Sequence, residues 1–145
     1  MNFASDNSAR HRTTVLVVEH TAVLPTGIAA ALADGGLHVV ECPDGAAAID
    51  MLSLMLVDVI VAAVDAPAVE SARLLQQARA LPGYADVPVV LLTCRCDPAA
   101  EAAARQAGVA AWLERPVTRE RLRDVVARCL APATRAASAP LAASA

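Results

Sequence analysis

Two carboxylates bracket one apolar stretch near the middle of the chain: Asp58, then residues 59–64, then Asp65, with Pro67 just beyond. Three other apolar runs end in side chains with chemistry of their own. The run 14–18 ends at Glu19-His20, the run 87–92 at Thr93 and Cys94-Arg95-Cys96, and the run 109–113 at Glu114-Arg115-Pro116. Acids can hold a hard cation, and two thiols with a nearby imidazole can hold a soft one. The Cys-x-Cys pair has no second half, however, and a structural zinc site takes four ligands, so Cys94 and Cys96 read as loop or small apolar residues rather than as a metal or redox centre. His20 reads as a polar group in a shallow cleft, with a titratable switch as the sharper alternative.

The elements that must position these residues follow from hydrophobic periodicity. Residues 57–64 form a continuous apolar run closed by a proline, as expected of a strand buried on both faces of a parallel sheet. Strands are also predicted at 14–18, 37–42, 87–93 and 109–113. Helices are predicted between them. One covers 22–33, with Pro25 in its first turn and Gly27 on its apolar stripe. A second covers 46–54, capped by Asp44 and burying Ala48, Ile49 and Leu52. A third covers 68–81, and a fourth runs from Asp97-Pro98 to Gly108. The last is capped by Thr118 and buries Leu122, Val125, Val126, Cys129 and Leu130. Strands alternating with helices give a parallel sheet covered on both faces, with right-handed crossovers. Open sheets of this kind place their chemistry at the carboxyl ends of the strands, which is where Glu19, Thr93 and Arg115 fall.

Composition sets the outer limits. The 145 residues are 57% hydrophobic and 2% aromatic, so a core must be built from Ala, Val and Leu at close range. The expected organisation is a flexible lead at 1–13, one domain at 14–130 and a disordered Ala/Pro/Ser-rich tail at 131–145. A net charge of −3 gives no general attraction to nucleic acid, and the Arg-containing last helix reads as a solvated face. No stretch has the apolar length of a membrane span or a secretory signal core. Four unpatterned cysteines point to reduced thiols in the cytoplasm.

Residues 14–130 resemble the receiver domain of response regulators in two-component signalling. The resemblance rests on Glu19, Asp44-Gly45, Pro67, Thr93, Ala107-Gly108 and Trp112-Leu113-Glu114-Arg115-Pro116, taken in order and spacing. It implies a flavodoxin-like, three-layer α/β/α sandwich around a five-stranded, doubly wound parallel sheet. It also implies phosphoryl transfer from a histidine kinase to an aspartate at the end of the third strand. Acids after the first strand would hold Mg²⁺, a Thr and a Lys would contact the phosphoryl group, and an aromatic ring would reposition.

Carried over residue by residue, much of that chemistry is missing. The acceptor position lies five after Asp58 and four before Pro67, and both counts land on Ala63. A methyl group forms no acyl phosphate. His20 stands where a second metal-binding acid belongs, and Arg115 replaces the lysine. The expected pocket is therefore a degenerate one formed by Glu19, His20, Ala63, Asp65, Thr93 and Arg115, with Glu19 and Arg115 as an ion pair and no cofactor. Trp112 and Pro116 belong to a switch or interface region. The reading is a non-enzymatic pseudo-receiver that binds a protein partner: a histidine kinase, a phosphotransferase, an effector, or a second copy through the fourth helix, fifth strand and fifth helix. The rival is a Mg²⁺-dependent receiver using Asp65 as a displaced acceptor. A stand-alone regulator with a small ligand in the cleft is a third reading.

Overall fold

The computed structural model describes residues 13–19, 27–63, 67–93 and 98–130, with only the backbone for residues 67–72. Five strands are described: β1 (Thr14–Glu19), β2 (His38–Cys42), β3 (Val59–Ala63), β4 (Val89–Thr93) and β5 (Ala111–Glu114). They alternate with α1 (Ile28–Asp34), α2 (Gly45–Leu54), α3 (Pro67–Arg79), α4 (Pro98–Ala107) and α5 (Arg119–Leu130). The strands form one parallel sheet in the order β2-β1-β3-β4-β5. This is the doubly wound α/β sandwich expected from the sequence.

Every residue of β3 and β4 is buried, as their unbroken apolar runs require of central strands covered on both sides. Alternate side chains divide the core. Leu16, Val18, Ile60, Ala62 and Leu91 pack with residues of α2, α3 and α4, while Val15, Val17, Val59, Val61 and Leu92 pack with α1 and α5. Small residues at the contact points, such as Ala31, Ala48, Ala78 and Ala104, bring the helices close to the sheet. The chain first winds outward from β1 to β2 and then returns past β1 to β3. The switch of direction thus falls between β1 and β3, the place where open sheets of this type leave a crevice.

Several element ends differ from expectation for identifiable reasons. The strand at β3 begins at Val59, because the Val57 amide donates to the Tyr84 hydroxyl (3.1 Å) and the Asp58 carboxylate accepts from the Thr14 amide (2.9 Å). β5 begins at Ala111, because the Val109 amide still bonds to the Ala104 carbonyl and closes α4. Gly27 is the N-cap of α1 in the left-handed region (φ 82°), not a position on its apolar stripe. Ile49 and Leu130 are half-buried rather than core. The Asp44 and Thr118 caps are present: Asp44 Oδ1 accepts from the Ala47 amide and Thr118 Oγ1 from the Arg121 amide. Residues 20–26, the Asp97 cap and the expected lead and tail lie outside the described residues. Among the described residues no helix is long and apolar enough to cross a membrane.

Candidate functional site

Four described residues from the expected pocket come together at the carboxyl edge of the sheet. Five buried positions in β1, Thr14 and four apolar residues, carry Glu19 to that edge, where its side chain is 12% exposed. Directly beside it in register stands Ala63, the last residue of β3, which is itself buried. β4 ends on Thr93, fully buried, and its carbonyl accepts a 2.8 Å hydrogen bond from the Arg115 amide. That bond pins the first residue after β5, so the Arg115 side chain starts from a defined point on the far side of the sheet.

From there Arg115 turns back across the strand ends. Its Nη2 lies 3.6 Å from Glu19 Oε2, within ion-pair range, and its side chain is 24% exposed. The Arg115 side chain therefore runs from the end of β5 toward Glu19 at the end of β1, with β4 and β3 lying between those strands in the sheet. Coulombic attraction between the two is stronger here than on open surface, because little water intervenes. Arg115 Nε is buried and has no hydrogen-bond partner among the described residues.

Next to Arg115 a cavity of about 360 Å³ opens between α1 and the start of α5, with Ile28, Leu92, Thr118 and Leu122 among its walls. Sequence reasoning did not anticipate it. Its walls come from three separate parts of the chain, and no local pattern marks them as neighbours.

The remaining expected residues are distributed differently. His20 and Asp65 lie outside the described residues, as do Cys94 and Cys96. Trp112 is half-buried and packs against the core beneath α2, α3 and α4, on the opposite face from its neighbours Ala111 and Leu113. Its indole Nε1 is buried and has no hydrogen-bond partner among the described residues. Pro116 follows Arg115 through a cis peptide bond.

A hard divalent cation wants several oxygen ligands in octahedral array. At the three central strand ends, β1 brings one carboxylate, β3 a methyl group and β4 a hydroxyl, and a guanidinium already faces the carboxylate. The described donors alone do not complete the set such an ion needs. No group of three or more His, Cys, Asp or Glu suited to a metal occurs among the described residues.

The family model for the response regulator receiver domain matches residues 15–127. The chain belongs to the response regulator receiver family. Solved receivers share its fold. The chemotaxis response regulator CheY4 of Vibrio cholerae matches with a TM-score of 0.74 at 24% identity, over 82% of this chain and 99% of that one. A response regulator from Burkholderia multivorans is 30% identical, with a TM-score of 0.66 over 83% of this chain and 97% of its own. The receiver domain of a sensor histidine kinase from Pseudomonas aeruginosa, with a magnesium ion coordinated in its active-site cleft, is 25% identical; its TM-score is 0.71, over 82% of this chain and 98% of that one. A comparison with curated proteins returned no match. This receiver is accordingly a module of two-component signalling, a family whose members generally relay signals rather than turn over substrates.

Proposed function

We propose that this receiver transmits its signal by shape and contact, without aspartyl phosphorylation. The observation that carries the reading is the register of Glu19 with Ala63 at the sheet edge, with Arg115 closing over them. In-line phosphoryl transfer needs a nucleophilic oxygen and a way to neutralise the charge that develops on the transferred group. The Ala63 methyl group offers no lone pair. Among the described residues the acid Glu19 and the cation Arg115 face each other at 3.6 Å, which supports a pocket held in one arrangement without metal or phosphate.

The module then acts in the cytoplasm by binding a protein: a histidine kinase, a phosphotransferase or an effector, or a second copy through the face made by α4, β5 and α5. Trp112 lies on β5 and is half-buried, so only the part of its ring left exposed is available to such a face. No cofactor takes part in this reading, and the pocket is a fixed structural feature.

The test is incubation of the full chain with Mg²⁺ and a small acyl phosphate donor, followed by intact mass measurement. An unmodified mass is expected. A gain of one phosphate that disappears in Asp65→Asn would overturn the reading in favour of a displaced acceptor. The same experiment on Ala63→Asp shows whether the rest of the pocket still supports the transfer.

A further inference from the structure

The cavity beside Arg115 has walls of two kinds. Ile28 of α1, Leu92 of β4 and Leu122 of α5 are apolar and buried, and they belong to the core layer under α1 and α5. Arg115, Thr118 and Arg119 are polar, and among the described residues no acid lines the cavity. At about 360 Å³ it is sized for a small molecule rather than for a folded partner. An apolar hollow with a few convergent polar groups is the usual form of a ligand site.

Three observations set the charge that such a ligand carries. Arg115 is only partly engaged among the described residues. Its Nη2 meets Glu19 Oε2 at 3.6 Å, an ion-pair contact longer than a hydrogen bond, and its buried Nε has no hydrogen-bond partner there. A buried donor is costly to leave without an acceptor, and an oxyanion is the strongest acceptor for it. The second cation, Arg119, stands in the first turn of α5 and pairs with Asp34, an acid outside the cavity wall. The amino terminus of α5, capped by Thr118, adds partial positive charge at the same end. The rest of the wall is apolar, so a second charge on the ligand would be buried without a partner.

We propose that this cavity binds a small organic monoanion, with its carboxylate at Arg115 and the start of α5 and its apolar body held between Ile28, Leu92 and Leu122. The ligand joins α1, β4 and α5, and through Arg115 it reaches the Glu19 contact at the strand ends. A receiver that takes no phosphoryl group thereby gains a chemical input beyond contact with a protein partner. Binding itself does not depend on that absence, and its test involves no phosphodonor.

The test uses the full chain, isotope-labelled for nuclear magnetic resonance, and a panel of monocarboxylates with apolar bodies of about six to twelve carbons, each paired with its carboxamide. At least one acid should shift the backbone amides of Ile28, Leu92, Thr118 and Leu122 saturably, with its carboxamide binding about ten-fold more weakly. Arg115→Gln should weaken binding of that acid about ten-fold and Arg119→Gln about two-fold, with an unchanged far-ultraviolet spectrum showing that each variant keeps its fold. Arg119 is exposed, so its variant and the comparison of acid with carboxamide stand even if Arg115→Gln unfolds. A panel in which no acid shifts these amides overturns the proposal. So does equal affinity for acid and carboxamide, or full affinity in a folded Arg115→Gln.

Discussion

Arg115 Nη2 sits 3.6 Å from Glu19 Oε2, although β3 and β4 lie between the strands that deliver the two residues to the sheet edge. At ~4.8 Å per strand the backbones stand about 14 Å apart, so the contact is made by two long side chains meeting over the end of β3. Ala63, in register with Glu19, brings only a methyl group to that edge.

If the pair closes the pocket, Glu19 and Arg115 are energetically coupled. Glu19→Gln and Arg115→Gln should each cost about 1–2 kcal/mol, less than a fully buried pair because both side chains keep some solvent. The double variant should lose less than the sum, with a coupling of ~0.5–1.5 kcal/mol. Urea unfolding of the four proteins measures this, and additive losses would show that the contact is incidental.

Ala63→Asp places a second carboxylate in register with Glu19 at a buried position. Two acids then share one guanidinium, and the variant should be less stable by about 1–3 kcal/mol in the presence of a chelator. Excess Mg²⁺ should recover part of that loss, because adjacent carboxylates begin to resemble the oxygen set a hard cation needs. Melting temperatures with and without Mg²⁺ check it, with the native chain expected to show no shift.

Tyr84 joins two loops at the amino-terminal edge of the sheet: its hydroxyl donates to the Met55 carbonyl at 2.6 Å and accepts from the Val57 amide at 3.1 Å. Tyr84→Phe leaves both backbone groups without that partner and should cost about 1–3 kcal/mol. Amide exchange at Val57 should accelerate more than at Val61 in the centre of β3, which separates local opening from global loss of stability.

Burial pushes the thiols of Cys42 and Cys129 from 9.0 up to about 11, with the charge of Asp44 adding to the effect at Cys42. Below pH 9 both folded and unfolded thiols are protonated and contribute no pH dependence. Between about 9 and 11 the unfolded thiols ionise while the folded ones do not, so stability falls as pH rises, by up to ~1.4 kcal/mol per pH unit for each thiol. Cys129→Ala should flatten the alkaline limb of a stability-pH curve measured by urea unfolding. An unchanged slope would mean that the thiol ionises normally in the folded chain.

Local signals made much of the molecule legible in advance. Apolar runs mark four of the five strands, the run in β2 being shorter and mixed, and the Asp44 and Thr118 caps act on amides three residues away. Where boundaries shifted, a distant group was responsible. Val57 leaves β3 for the Tyr84 hydroxyl, and Arg79 reaches from α3 to the Gly108 carbonyl at the end of α4 (2.8 Å). Neither side chain carries a pattern that names its partner.

The amino-acid order alone determined which segments are strands and helices, and that acid, methyl, hydroxyl and guanidinium groups would all end at one edge of a parallel sheet. Periodicity and capping act over a few residues, so they survive in a linear string. Only the tertiary structure decided that β1 lies between β2 and β3, that Glu19 stands in register with Ala63, and that Arg115 reaches across two strands to meet the acid. Those relations arise from the sheet burying both faces at once, a condition that the whole chain satisfies together and no short stretch encodes.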